Sequence, residues 1–287
     1  MGRDIALNTY RIKSPLQARV IENRKLTKDA SPSDTRHVVF DVSGGPMEYT
    51  AGQSVGVLTP GLDEKGRPHA VRLYSVASHR LGEADIPNSL SLCVKRVQYQ
   101  DSVTGVLKKG VASNYVCDLK PGDTVRLTGP VGNRFLLPEN LSPCNFIFIA
   151  TGTGIAPFRG MLIELFQRSR SSGQNPFQGE VWLFFGVPYR TDLLYEGEFQ
   201  DYQKYPNFHF VTAVSREESD SEGKKIYVQN RIAEKSSELE GILFDPQTWI
   251  YICGLKGMEK GLYESFQKMM TLDQLEQLKK RILVEVY

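Results

Sequence analysis

Cysteine is scarce in this chain. Four occur in 287 residues, at positions 93, 117, 144 and 253, with no CxxC and no short cluster. That spacing offers neither a disulfide framework nor the thiolate set of a zinc or iron–sulfur centre, so no metal site is expected. Long apolar runs are missing too. The run Phe146–Ala150 is far shorter than the about 20 residues of a bilayer-spanning helix, so no integral membrane segment is expected. The start, Met-Gly-Arg-Asp, has no apolar h-region and no small-residue cleavage site, which disfavours secretion. Dense Lys/Arg runs are absent, which argues against nucleic acid as a partner. What is left, 40% hydrophobic and 24% charged residues, is ordinary soluble globular composition. The length suits two modest domains or one large one.

A net charge of +2 hides an asymmetry. Residues 1–139 carry 19 Lys and Arg against 14 Asp and Glu, or +5, whereas residues 140–287 carry 16 against 19, or −3. The basic first half suits an acidic partner, either phosphate or an acidic protein.

The halves also differ in periodicity. Up to about Val131 the apolar runs are short and rich in β-branched residues, as in Val38–Phe40, Ser54–Leu58, Val71–Val76, Leu90–Val94 and Thr124–Leu127. Turn signals such as Gly44-Gly45-Pro46, Thr59-Pro60-Gly61 and Lys120-Pro121-Gly122-Asp123 separate them, the pattern of a closed antiparallel barrel or sandwich. From Asn145 the pattern alternates. Strands are predicted at Phe146–Ala150, Val181–Phe185, Phe208–Val214, Trp249–Cys253 and Ile282–Val286, and helices at Pro157–Arg168, Glu196–Lys204, Tyr227–Leu239 and Met258–Met270. Such alternation means a parallel sheet covered on both faces. The boundary is expected in the proline-bearing stretch Pro138–Pro143, dividing the chain into 1–142, an antiparallel β-barrel domain, and 143–287, an α/β nucleotide-binding domain.

Three short motifs could carry chemistry. Thr151-Gly152-Thr153-Gly154-Ile155-Ala156-Pro157 joins the first parallel strand to its helix, where glycines let a pyrophosphate approach backbone N–H groups. Pro157 stands where a dinucleotide fingerprint has its third glycine, so the motif alone reads equally as a tight turn. Arg72 and Tyr74, two apart on a strand, can hold a phosphate and stack on a flat ring, or decorate an exposed barrel face. Val111-Ala112-Ser113-Asn114 after Gly110 has the small residues of a close approach followed by a helix cap.

Taken in order, Arg72-Leu73-Tyr74-Ser75, Leu92-Cys93-Val94-Lys95-Arg96, Gly110 to Asn114, Gly152 to Phe158, Val214-Ser215-Arg216-Glu217, Tyr251 to Glu259 and Val284-Glu285-Val286-Tyr287 form a set. The chain resembles plant-type ferredoxin–NADP(+) reductase from about Asn8 to the last residue. The resemblance implies FAD on the barrel domain and NADP on the α/β domain. Tyr74 would stack on the isoalloxazine, Arg72 and Ser113 would hold the pyrophosphate, and Tyr99 would stack on the adenine. Leu73, Cys93, Val94, Lys95, Val111 and Ala112 would supply backbone contacts and shape. Ala112 stands where plant members usually have Cys, a change that leaves close approach intact.

The family also implies the chemistry. Ser75 would hydrogen-bond near flavin N5, Cys253 would sit beside nicotinamide C4, Glu285 would complete the polar cluster, and Tyr287 would cover the flavin until the nicotinamide displaces it. The 2′-phosphate would fall beside Ser215, Arg216, Lys225 and Tyr227, and two cations, a hydroxyl and a ring suit a dianionic phosphate better than a plain 2′-hydroxyl. Thr153, Val187, Pro188, Gln229, Gly254 and Leu255 would complete the nucleotide contacts. The expected activity is electron transfer between NADP(H) and an acidic one-electron carrier, ferredoxin or flavodoxin. The alternatives are an NADPH-dependent reductase serving an oxygenase and a flavin- or nucleotide-binding module without turnover. A monomer is expected, in the cytoplasm or, for a processed chain, the plastid stroma; ending in Tyr places it with the plastid-like subclass.

Overall fold

The computed structural model describes residues 5–45, 47–83, 86–166 and 177–287. The chain divides into two compact units, Met1–Leu136 with Arg159–Glu164, and Leu137–Phe158 with Leu165–Tyr287.

In the first unit, apolar stretches between Gly and Pro turns become β1 (Leu16–Lys25), β2 (Thr35–Asp41), β3 (Ser54–Leu58) and β4 (Arg72–Ser75). The short pair β5 (Gly82–Glu83) and β6 (Ile86–Pro87) precedes β7 (Ser89–Lys95). A hairpin of β8 (Gln98–Gln100) and β9 (Leu107–Lys109) leads to helix α1 (Val111–Asp118) and then to β10 (Thr124–Val131). Six strands form a sheet in the order β4-β3-β10-β1-β2-β7, with every pairing antiparallel. An antiparallel bridge between Val76 and Leu92 closes the sheet on itself. Val38, Phe40, Val55, Val57, Leu90, Leu92, Val125 and Leu127 fill it. Strand β1 was not anticipated from sequence. Leu16, Ala18 and Val20 point inward while Gln17 and Arg19 meet solvent, so a strand wet on one face reads as mostly polar.

One ion pair is sealed inside this unit. Arg159 Nη2 and Nη1 lie 2.6 and 2.9 Å from the two carboxylate oxygens of Glu83, and Nη1 also donates to the Ala77 carbonyl at 3.0 Å. Ser91 Oγ donates to Glu83 at 2.7 Å, and His37 Nε2 stands 3.5 Å from it. Burial alone would raise the Glu83 carboxyl, but hydrogen bonds from His37 and Arg159, with their charges, hold it well below the usual carboxylate range.

The second unit starts with β11 (Asn145–Thr151), a single 3-10 turn at Gly152–Gly154 and α2 (Ile155–Phe166). There follow β12 (Val181–Val187), α3 (Glu196–Tyr202), β13 (Phe208–Val214), α4 (Val228–Glu234) and α5 (Ser236–Phe244). The chain continues through β14 (Thr248–Gly254), α6 (Met258–Met269), α7 (Leu272–Lys279) and β15 (Ile282–Val286). The five strands are all parallel, in the order β13-β12-β11-β14-β15. Period-2 alternation sorts β11 into two faces. Ile147 and Ile149 join a largely aliphatic core with Ile250, Ile252, Leu262 and Phe266. Phe146 and Phe148 stack at 5.7 Å on the other face, and Phe148 meets Phe158 at 4.9 Å and Tyr251 at 5.6 Å. Because β12 lies on one side of β11 and β14 on the other, the order in which strands are added reverses there, while all strands keep one direction. That leaves a crevice at the C-terminal strand ends, where open α/β sheets bind ligands.

Several boundaries differ from expectation. The single helix predicted over Tyr227–Leu239 is two, α4 and α5, broken at Lys235 (φ −94°, ψ 12°), with Tyr227 outside α4 as its N-cap. Ser236 and Ser237 follow the break, and short hydroxyl side chains compete with helix backbone for hydrogen bonds. The helix predicted from Pro157 begins earlier, at Ile155, and its predicted last residues, 167 and 168, lie outside the described residues. Helix α7 was missed, although Thr271 and Gln274 form a capping box that the sequence displays as T-x-x-Q. Among the described residues, no helix is long and apolar enough to cross a membrane, and no cluster of His, Cys, Asp or Glu could hold a metal ion.

Candidate functional site

A cavity of about 350 Å³ opens in the first unit at β4 and the start of α1. Arg72, Tyr74, Val111, Ala112 and Ser113 line it, all singled out from the sequence. Its remaining walls, Thr59, His69, Ala70, Val97 and Gly110, were not, because apart from Gly110 they belong to none of the motifs. Arg72 is exposed, and among the described residues no carboxylate pairs with it. Tyr74 is half-buried against the barrel core, and burial pushes its phenol up to about 12, so the ring stays neutral. A side chain at Gly110 would crowd Ser113 Oγ at 2.8 Å and Val97 Cβ at 3.0 Å, which keeps this wall thin. Ser113 Oγ accepts from Val97 N at 3.2 Å, and no side chain caps the α1 N-terminus. A spare guanidinium, a neutral ring and an uncapped helix start are the donor set that a flavin dinucleotide needs, and the residues fit FAD. Leu73, Cys93, Val94, Lys95 and Tyr99 stand outside this lining: Cys93 and Val94 are buried in β7, whereas Leu73, Lys95 and Tyr99 are exposed.

In the second unit, the candidate nucleotide residues gather at the C-terminal ends of the strands or just beyond. Gly254 has φ +148°, and a Cβ there would strike Thr151 Oγ1, so β11 and β14 end in near backbone contact. The same holds for Gly154, where a Cβ would strike the Cys253 carbonyl. Thr151 Oγ1 accepts from Leu255 N at 2.9 Å and fixes the loop after β14. Cys253 pairs in register with Glu285 across β14 and β15. Cys253 is fully buried, and burial with the nearby Glu285 pushes its thiol up, so it remains protonated. Burial likewise raises the Glu285 carboxyl, and its Oε2 is buried without a hydrogen-bond partner. Tyr287 is held by its backbone, N donating to the Gly254 carbonyl at 3.1 Å and O accepting from Lys256 N at 3.2 Å. Its hydroxyl lies 2.6 Å from Thr153 Oγ1, and the residue is 58% exposed. Ser75, at the end of β4, belongs to the first unit.

Beyond β12 and β13, Val187 O accepts from Ser215 N and Pro188 O from Arg216 N, both at 2.9 Å. Tyr227 and Lys225 are exposed on the return of the same loop, and Gln229 follows in the first turn of α4. The acidic neighbours are engaged elsewhere. Glu217 accepts from Arg190 N at 3.1 Å, Glu218 pairs with Arg190 and Arg231, and Asp220 accepts from the backbone of Glu222 and Lys224. Among the described residues, no carboxylate forms an ion pair with Arg216 or Lys225, which leaves two cations for a phosphate.

Two family models match the chain. Residues 23–135 match the oxidoreductase FAD-binding domain and residues 148–264 the oxidoreductase NAD-binding domain. The chain is 45% identical over 266 residues to the cyanelle ferredoxin–NADP reductase of Cyanophora paradoxa, covering 92% of this chain and 72% of that protein. Against the chloroplastic leaf isozyme 1 of ferredoxin–NADP reductase from Oryza sativa subsp. japonica it is 43% identical over 293 residues, covering 99% of this chain and 80% of the relative. The structure of ferredoxin–NADP+ reductase from Plasmodium falciparum with 2′P-AMP superposes with a TM-score of 0.78 at 29% identity, covering 98% of this chain and 100% of that one. With both nucleotide-binding regions in order and this identity sustained over nearly the whole length, the chain belongs to the ferredoxin–NADP reductase family.

Proposed function

We propose that the protein transfers electrons between NADP(H) and ferredoxin through FAD. The observation that carries this reading is the first-unit cavity, where Arg72, Tyr74 and Ser113 converge and Arg72 has no carboxylate partner among the described residues. Arg72 and Ser113 would hold the pyrophosphate, Tyr74 the isoalloxazine and Tyr99 the adenine, with Leu73, Cys93, Val94, Lys95, Val111 and Ala112 completing the surround. FAD supplies the exchange of one hydride for two single electrons. The protein's part is to bind and orient. Ser215, Arg216, Lys225 and Tyr227 take the 2′-phosphate, and Thr153, Val187, Pro188, Gln229, Gly254 and Leu255 guide the rest of the nucleotide. Cys253, kept as a thiol, and Glu285, its carboxyl raised by burial, offer the nicotinamide a polar surface. Ser75 offers a hydroxyl to the flavin edge, and Tyr287 excludes water until the nicotinamide takes its place.

Flavodoxin is a second carrier of the same chemistry, since the excess of basic residues in the first half selects an acidic surface and not a particular prosthetic group. The working form is a monomer, placed in the cytoplasm or in a plastid stroma. The test is direct. Purified protein should be yellow, NADPH should bleach it without oxygen, and cytochrome c reduction should require added ferredoxin or flavodoxin and weaken with salt. Colourless protein that remains so after incubation with FAD would overturn the reading.

A further inference from the structure

Arg216 has a partner that no sequence motif pointed to. Its Nη1 donates to the Tyr189 hydroxyl at 3.0 Å, and its guanidinium carbon lies 5.4 Å from the centroid of the Tyr189 ring. The backbone sets the two side chains together, because the Pro188 carbonyl accepts from Arg216 N at 2.9 Å. Two neighbouring carboxylates, Glu217 and Glu218, are engaged elsewhere, and Asp192 acts on Arg216 through its charge without forming an ion pair with it. Glu217 accepts from Arg190 N at 3.1 Å, and Glu218 spans Arg190 Nη2 at 3.3 Å and Arg231 Nη2 at 2.8 Å. A phenol therefore answers the guanidinium in this corner.

That choice of partner matters chemically. A carboxylate against Arg216 would orient it but cancel its charge, and an incoming phosphate would have to displace it. A phenol oxygen occupies one of several guanidinium N–H donors and leaves the charge whole. The ring face adds an attraction that tolerates the remaining donors pointing outward. An exposed arginine otherwise loses much rotamer freedom when it docks, and a side chain already held loses less.

We propose that Tyr189 is a positioning residue for the 2′-phosphate, holding the Arg216 guanidinium ready for a phosphomonoester and thereby adding to the preference for NADP(H) over NAD(H). The inference rests on reading Ser215, Arg216, Lys225 and Tyr227 as the 2′-phosphate site.

The experiment measures binding of adenosine 2′,5′-bisphosphate and of 5′-AMP to the FAD-loaded enzyme by calorimetry, with competition where binding is weak. The variants are Tyr189→Phe, Tyr189→Ala, Arg216→Ala and the Tyr189→Ala/Arg216→Ala double. Tyr189→Phe, which keeps the ring, should weaken the bisphosphate about two- to tenfold, and Tyr189→Ala somewhat more. Binding of 5′-AMP should not move, and the double variant should bind the bisphosphate as Arg216→Ala does. In turnover, Tyr189→Ala should raise the NADPH KM more than it lowers kcat. If Arg216→Ala leaves bisphosphate binding unchanged, the phosphate site itself is misplaced. If Arg216→Ala weakens it and both Tyr189 variants do not, Tyr189 has no positioning role. If Tyr189→Ala weakens 5′-AMP equally, the ring acts on the adenosine and the proposal fails.

Discussion

The Tyr287 hydroxyl and Thr153 Oγ1 lie 2.6 Å apart, so the ring that follows β15 is tied to the turn that opens α2. Two backbone hydrogen bonds to Gly254 and Lys256 hold the same residue. On the proposed function the nicotinamide takes the place of this ring, so it must also break the hydroxyl contact, and both costs are subtracted from nucleotide binding. Tyr287→Ser is expected to tighten NADP(+) binding about two- to tenfold, since stacking contributes about 0.5–1.5 kcal/mol beyond area burial. Discrimination against NADH should relax, and kcat should fall as product release slows. Titration of the oxidised enzyme with NADP(+), followed by the flavin difference spectrum, checks the first point. Weaker binding with turnover intact would make Tyr287 a structural residue.

Ser75 closes β4 and pairs in register with Ser54, so its backbone is fixed by the barrel whatever its side chain. Ser75→Ala removes the hydroxyl and adds no bulk. Stopped-flow reduction by NADPH should slow by about 10²-fold or more, while FAD retention changes little. Reduction at the wild-type rate would remove Ser75 from the mechanism.

Burial raises the Glu285 carboxyl above its ordinary value of 4.5. A group shifted in this sense stabilises the fold fully below its unfolded value, and that contribution is lost as pH rises through the folded value. Glu285→Gln should therefore raise the melting temperature at pH 7 and leave it nearly unchanged at pH 4. Thermal melts across that range decide the matter, and an equal shift at both ends would mean the carboxyl is not the titrating group. The raised Cys253 thiol predicts a companion result. Iodoacetamide at pH 8 should leave Cys253 unmodified in the folded protein, as peptide mapping would show.

Glu83 behaves in the opposite sense. Held below its ordinary 4.5 against the desolvation that would raise it, the carboxylate stabilises the first unit above that value and loses the effect as pH falls. Glu83→Ala removes the buried carboxylate that faces the Arg159 guanidinium and should cost about 3–5 kcal/mol in denaturant unfolding. Replacing both partners, Glu83→Leu with Arg159→Met, should recover most of that loss. A single variant as stable as wild type would mean that water reaches Arg159.

Much of the site was legible from residue order because its parts are local. The turn Gly152–Gly154, the stretch Arg72–Ser75 and the start of α1 at Val111 each need particular residue types at short spacing, so each leaves a mark in sequence. The division into antiparallel and parallel strands was legible for the same reason, since period 2 and period 3.6 are local properties. Strand β1 and helix α7 are not marked as clearly, the first because half its side chains face water and the second because it is only about two turns long and buries only Leu275 and Leu278.

Other features depend on which distant residues meet. The sheet order β13-β12-β11-β14-β15 decides that Cys253 stands opposite Glu285 and that Gly254 must approach Thr151. Thr59, His69 and Ala70 became cavity walls through their placement beside Arg72, and nothing in their own types required it. Whether Glu217 and Glu218 would neutralise Arg216 could not be read from their adjacency in sequence. The fold turned them toward Arg190 and Arg231 and set Tyr189 against the guanidinium. Residue types and short spacings thus determined the strands, the turns and the candidate ligating groups, because those follow from backbone and side-chain preferences within a few residues. Tertiary structure decided which charges are spent on each other and which remain for a ligand, because a charge's partner is set by distance in space.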